Sequence, residues 1–390
     1  MADFSEEPIA WGQLQGAYGS AEEVGVLLSL IESGEDVWGD LIGEVLHQGS
    51  LCDATAPVTA WVIRFLNRAT FANRTVSLGK AVRAKHHPSQ KAWAFIFLSC
   101  AAASAIQEPK SSPRTAADVL DALRHGSTLY EKGLADHEVE VRLASAAIWK
   151  AVAADRAFAF ASIARRYERE TESEVRVAML SALDALADSG KQWLDRLSLI
   201  LQSPTSNREK FYAAAYLSRR LGSSTPEDTA DQMAQLYPEL QEAGYALEIT
   251  NLEDPDDLFW ASVRAMERSR AVGCLAKALE LCTEKGGSSG ARTIVKIMEW
   301  LLRLVSNDER RGWGSTGSSR GPKIEYFGVK PLNEAGGWLL SLEAGIALKA
   351  IVNKAEVWRI DTNLLSLFGL PRGRKELRDL SCSLSDRGSG

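Results

Sequence analysis

The sequence is short of almost everything that a disulfide framework, a metal centre or a hydrolytic site requires. Its five cysteines, Cys52, Cys100, Cys274, Cys282 and Cys382, are odd in number and form no CxxC pair, which excludes a disulfide scaffold and a thiolate zinc motif as the organising principle. The five histidines, His47, His86, His87, His125 and His137, make no HExxH and no ligand spacing with cysteine. No apolar run approaches the roughly 18 residues of a membrane span, and the opening MADFSEEPIAW has no basic stretch followed by an apolar one, so neither a span nor a signal peptide is expected. These absences predict a cytoplasmic protein with reduced thiols, no cofactor and no metal. Positive charge is also scarce: 45 Lys and Arg against 51 Asp and Glu give a net charge of −6. No global field draws a phosphate backbone, and nucleic acid is not an expected partner.

What the sequence does contain is a repeat. Val141, Ala144, Ile148 and Val152 fall at steps of 3, 4 and 4, one stripe of an α-helix. Thirty-four residues on, Val175, Ala178, Ala182 and Leu186 form the same stripe, and the pair Val141-Arg142 lands on Val175-Arg176. The helix between them repeats as well, with Phe160, Ile163 and Tyr167 reappearing as Leu194, Leu197 and Leu201. A third copy, Phe211, Ala214, Leu217 and Leu221, has lost the Val-Arg pair. One helix pair cannot bury its own stripes, whereas stacked pairs share a continuous core.

A two-helix unit whose second helix opens on an acidic residue and a Val-Arg pair resembles the HEAT family of helical repeats. The carriers are Asp136, Val141 and Arg142 in one copy and Glu172, Val175 and Arg176 in the next. Ala17-Tyr18-Gly19 followed by a helix pair, His47-Gln48-Gly49-Ser50, Asp53-Ala54-Thr55-Ala56-Pro57 and the block Leu364 to Pro371 further resemble a group of largely uncharacterised bacterial HEAT-like proteins; Leu51-Cys52 departs from the aliphatic-aromatic pair of that group. The resemblance implies an all-α fold: an α-solenoid of stacked antiparallel helix pairs, curved as a right-handed superhelix.

Residues 1–305 then read as the helical array. Its helix starts are marked by Ser20 with Glu23, Ser33 with Asp36, Thr171 with Glu174, Ser206 with Glu209, and Thr225-Pro226 with Asp228. Residues 306–330, rich in Gly and Ser, read as an insertion or linker; no Lys-Ser/Thr pair follows the glycines and no strand precedes them, so the stretch is not a phosphate cradle. Residues 331–380 are a helical capping module, with a helix through Leu339, Leu340 and Leu342, and 381–390 a disordered tail. The run Arg74, Lys80, Arg83, Lys85, His86 and His87 reads as a solvated basic connector, since adjacent helical residues point about 100° apart and chelate poorly. His47 reads as a cap for the last carbonyls of its helix.

Tryptophan is abundant, with eleven copies. Trp38, Trp93 and Trp149 fall on the expected second helices, which line the concave side in HEAT-like stacks, and large aromatics with arginine anchor protein interfaces. Trp38, Trp93, Arg142, Trp149 and Arg176 are therefore the candidate partner-binding residues. Two structural readings compete: tryptophans that pack between layers, and arginines that form a ladder along the stack with acidic neighbours. The expected function is a non-enzymatic interaction module that takes a basic protein partner on its concave face, as an adaptor or a toxin-neutralising immunity protein. The alternative is an enzyme on a HEAT-like scaffold, similar to alkylated-base DNA glycosylases or bilin lyases. The glycosylase reading requires a basic groove carrying Trp and Asp, on which Arg64, Arg68, Arg142 and Arg176 converge.

Overall fold

A computed structural model of the protein describes residues 9–47, 50–68, 88–107, 113–188, 190–242, 254–282, 288–306, 330–332, 337–339, 342–353, 375 and 377–378. The fold is all-α: among the described residues, sixteen α-helices account for nearly all regular structure, beside two short antiparallel ribbons and two 3-10 turns. None of these helices is long and apolar enough to cross a membrane. The described residues up to Asp188 form one compact unit and those from Gly190 onward another.

In the first unit a 3-10 turn at Trp11–Gln13 and a ribbon pairing Gln15–Gly16 with Gly19–Ser20 lead into α1 (Glu22–Ser33) and α2 (Trp38–Val45). The ribbon overrides the capping box expected at Ser20. Gly19, at φ 137°, turns the chain so that Ser20 pairs with Gln15, and α1 starts at Glu22 without a side-chain cap. His47 does not cap α2; its Nδ1 hydrogen-bonds the Tyr18 hydroxyl at 2.6 Å. Next come α3 (Thr55–Asn67), α4 (Gln90–Gln107), α5 (Pro113–Arg124) and α6 (Ser127–Gly133). Helix α4 carries apolar or small residues on nearly every side, and it is covered by α2, α3, α5 and α7 (Val139–Val152). Gly133 permits this crowding, because a Cβ there would lie 2.1 Å from Ser145 Oγ and 2.9 Å from the Phe95 ring.

The repeat is exact to the residue in its second helices: α7 (139 to 152) and α9 (Ser173–Leu186) start and end thirty-four positions apart, and all eight stripe residues are buried. Between them runs α8 (Arg156–Tyr167), whose Asp155 cap accepts from Phe158 N at 2.9 Å. The loops entering α7 and α9 share a design that corrects the expected correspondence of Asp136 with Glu172. The true counterpart is Glu170, thirty-four residues from Asp136, and each of these acids accepts the backbone N–H two residues on, from Glu138 at 3.1 Å and from Glu172 at 3.1 Å. Each Val-Arg arginine in turn donates to the carbonyl six residues back, Arg142 to Asp136 at 2.9 Å and Arg176 to Glu170 at 3.3 Å. Thr171 likewise does not cap α9, since its N–H is held by the Glu170 carboxylate at 3.0 Å and Glu172 takes the cap position.

Cations on α4 and α7 fasten the acids of later loops. Lys91 of α4 pairs with Asp136, and Arg142 of α7 pairs with Glu170 at 2.9 and 3.3 Å, while Arg166 approaches Glu170 at 3.1 Å. The Glu170 side chain is 1% exposed. Burial by itself would raise its pKa, but the Glu172 N–H and the Arg142 and Arg166 guanidiniums prevail and hold the carboxyl below its ordinary value.

The second unit comprises α10 (Lys191–Gln202), α11 (Asn207–Leu221), α12 (Glu227–Glu242), α13 (Pro255–Ala265), α14 (Arg268–Leu281), α15 (Ser288–Ser306) and α16 (Leu342–Asn353). Ser206 caps α11 as its spacing predicts, accepting from Glu209 N at 3.2 Å. The core is aromatic: Tyr237 stacks on Phe259 at 4.1 Å, with Phe211 and Trp300 around them. The helix expected through Leu339 begins instead at Leu342, because Gly337–Leu339 is a strand paired with Lys330–Leu332. Most of the Gly/Ser-rich 306–330 stretch, the histidines His86 and His87, Trp358, the 364–371 block and the 381–390 tail lie outside the described residues.

Removing Glu170 leaves the Arg142 guanidinium, 7% exposed, without its counter-charge. Glu170→Ala is expected to destabilise the first unit by about 3–5 kcal/mol at pH 7, read from urea unfolding. Because the folded carboxyl titrates below its ordinary value of 4.5, its contribution is complete above that value and is lost as pH falls through the lower folded one. The gap between wild type and variant should therefore close on acidification from pH 7 to below 4.5, and a gap that widens would contradict the assignment.

Candidate functional site

The five residues singled out in the sequence do not share a surface. Trp38 is wholly buried, its indole N–H donating to Gln90 Oε1 at 2.7 Å and its ring meeting Phe65 edge-on at 5.9 Å. Trp149 is 4% exposed and Arg142 6%. Arg176 is half-buried, donates to the Tyr167 carbonyl at 3.0 Å and lies over the Tyr167 ring at 4.2 Å. Trp93 is half-buried on α4. Arg142 and Arg176 are fastened around Glu170, whereas Arg64 and Arg68 lie on and just after α3 and line a separate groove. The four arginines thus do not converge on one groove.

That groove has a volume of about 860 Å³. Three helices each contribute one stripe. Ala56, Pro57, Ala60, Trp61 and Arg64 run at helical steps along the outer face of α3, opposite its buried Val58, Val62 and Phe65, with Asp53 just before the helix and Arg68 just after it. Gly25, Leu28, Ser29 and Glu32 come from α1, and Asp118, Asp121 and Ala122 from α5. Trp11, from the 3-10 turn, lies against α1 where Gly25 has no side chain; a Cβ at Gly25 would stand 2.7 Å from its ring. Trp61 is stacked on Phe65 at 5.1 Å and 23°, one turn along α3, which fixes its ring in the wall. Small residues on the floor and two half-exposed indoles on the walls give an amphipathic trough.

Its charge is acidic on balance, with four carboxylates and two guanidiniums among the lining residues. Arg68 and Glu32 satisfy each other at 2.5 Å across one end, and Asp121 faces Arg124 at 3.7 Å. Asp53, Asp118 and Arg64 have no ion-pair partner among the described residues. Partial burial first, and then the charge of Arg68, lower the Arg64 pKa from its usual value, which marks a guanidinium without a stabilising acceptor nearby. A trough of this sign repels a phosphate backbone rather than attracting one.

A second cluster, Asp136, His137 and Glu138, brings possible ligand atoms within 4.8 Å of one another. Asp136 is already committed to the Lys91 ammonium and to the Glu138 N–H, so a cation there would have to displace the pairing that fastens the loop entering α7. Comparison with family models, with curated proteins and with solved structures finds no match to this chain.

The groove was half legible. The α3 stripe is written at steps of 3 and 4 from Asp53 to Arg68, and only its meaning as a second, outward face was missed. Trp11 carries no such signal. Gly25→Ala should displace the Trp11 ring while changing stability by no more than about 1 kcal/mol, since alanine suits the helix better than glycine. In protein labelled with 5-fluorotryptophan, the ¹⁹F resonance of Trp11 should move; an unmoved resonance would show that Gly25 does not seat the ring.

Proposed function

We propose that the protein is a HEAT-like α-solenoid of antiparallel helix pairs, wound as a right-handed superhelix, that acts without catalysis by binding a protein partner. The observation that carries this reading is the groove between α1, α3 and α5, with two half-exposed indoles on a rigid helical frame and a rim of ionised side chains. Interfaces concentrate their binding free energy in such aromatic anchors set in pockets and ringed by polar groups. The doubled α7 and α9, their fastened loops and the cation-to-acid ladder support the repeat architecture, because each layer is tied to the one before it. Binding through the groove leaves Trp38, Trp149 and Arg142 to hold the layers, in keeping with their burial. An adaptor or toxin-neutralising immunity role in the cytoplasm suits an acidic chain whose partner is basic.

Site-directed photo-cross-linking tests this reading in the native host. With p-benzoylphenylalanine at position 61, a discrete protein adduct is expected; the same label at Phe158, an exposed residue outside the groove, should give none. Equal labelling at both positions, or none at 61, would overturn the assignment of the groove as the contact surface.

A further inference from the structure

Resting on that reading, we infer that the occupant of the groove is an extended peptide segment of the partner that carries arginine or lysine side chains. The length of the groove argues for an extended chain. It follows α3, whose 13 residues at 1.5 Å each make about 20 Å, enough for about six residues of extended backbone. The floor is low between Ala56 and Ala60, because Ala56, Pro57 and Ala60 project little from the helix.

The charges argue for a cationic side chain. Once Arg68 has paired with Glu32 and Arg124 with Asp121, two carboxylates, Asp53 and Asp118, face the single guanidinium of Arg64 among the lining residues. Asp118 and Asp121 lie three residues apart on α5 and so share one face of it, forming an acidic wall beside the Trp61-bearing face of α3. The aliphatic stem of a lysine or arginine suits the indole faces of Trp11 and Trp61, and its charged head suits both the ring quadrupole and the aspartates. Arg64 then has a role that an anion-binding site would not give it. Its guanidinium, partly desolvated and unpaired, donates to a backbone carbonyl of the bound segment, a neutral acceptor that any extended peptide supplies.

The test uses the full chain labelled with 5-fluorotryptophan, its Trp11 and Trp61 resonances assigned with Trp11→Phe and Trp61→Phe. Three probes are titrated at low salt: a capped hexapeptide with two arginines, the same peptide with two glutamates, and free argininamide. The arginine peptide is expected to move both resonances saturably, the glutamate peptide to leave them in place, and argininamide to bind at least about ten-fold more weakly than the peptide. Asp118→Asn with Asp121→Asn, both exposed and so tolerated by the fold, should weaken the arginine peptide about ten-fold. Preference for the glutamate peptide would make the groove an anion site organised by Arg64, and argininamide binding as tightly as the peptide would make it a small-molecule pocket; either result overturns the inference. Should the arginine peptide fail while the label at position 61 still captures a protein in the host, the occupant's chemistry is wrong and the partner-binding reading stands.

Discussion

The structure of the first unit depends on one buried carboxylate. Glu170 gathers two guanidiniums and two backbone N–H groups in a place where water does not reach it. An unpaired carboxylate at such a depth would take up a proton or force the loop outward. Fully paired, it fixes the loop between α8 and α9, the angle at which α9 enters and, through Arg142, the packing of α9 on α7. Asp136 does the same with Lys91 and the Glu138 N–H at the entrance to α7.

The groove follows from how little of α3 is needed for packing. Val58, Val62 and Phe65 bury one face, and the opposite face is left to small residues, one indole and charges. The Trp61–Phe65 stack joins the two faces, so the outward ring rests on a side chain whose other contacts belong to the core.

Much of this was legible in the sequence, and the remainder fails for identifiable reasons. The stripes of α7 and α9 are buried as their spacing predicts, since a 3.6-residue period survives any tertiary context. Loop chemistry is less readable. Asp136 corresponds to Glu170 rather than Glu172 because geometry selects the acid that Arg142 of α7 can reach, and a one-dimensional pattern cannot tell two acids apart in Glu170-Thr171-Glu172. Trp38 and Trp149 were candidate contacts because tryptophan is common both at interfaces and in cores, and only burial separates the two. Trp61 and Trp11 reach the groove through the third dimension, one from a helix whose opposite face is core and one from a 3-10 turn that packs back on a glycine.

The pairing of Lys91 with Asp136 and of Arg142 with Glu170 also has a direction along the chain: in both, the cation precedes the acid, the reverse of Lys277 with Asp231 and Lys296 with Asp256 in the second unit. From α4 to α9, therefore, each loop acid is fastened by a helix that the chain has already laid down when it leaves the ribosome.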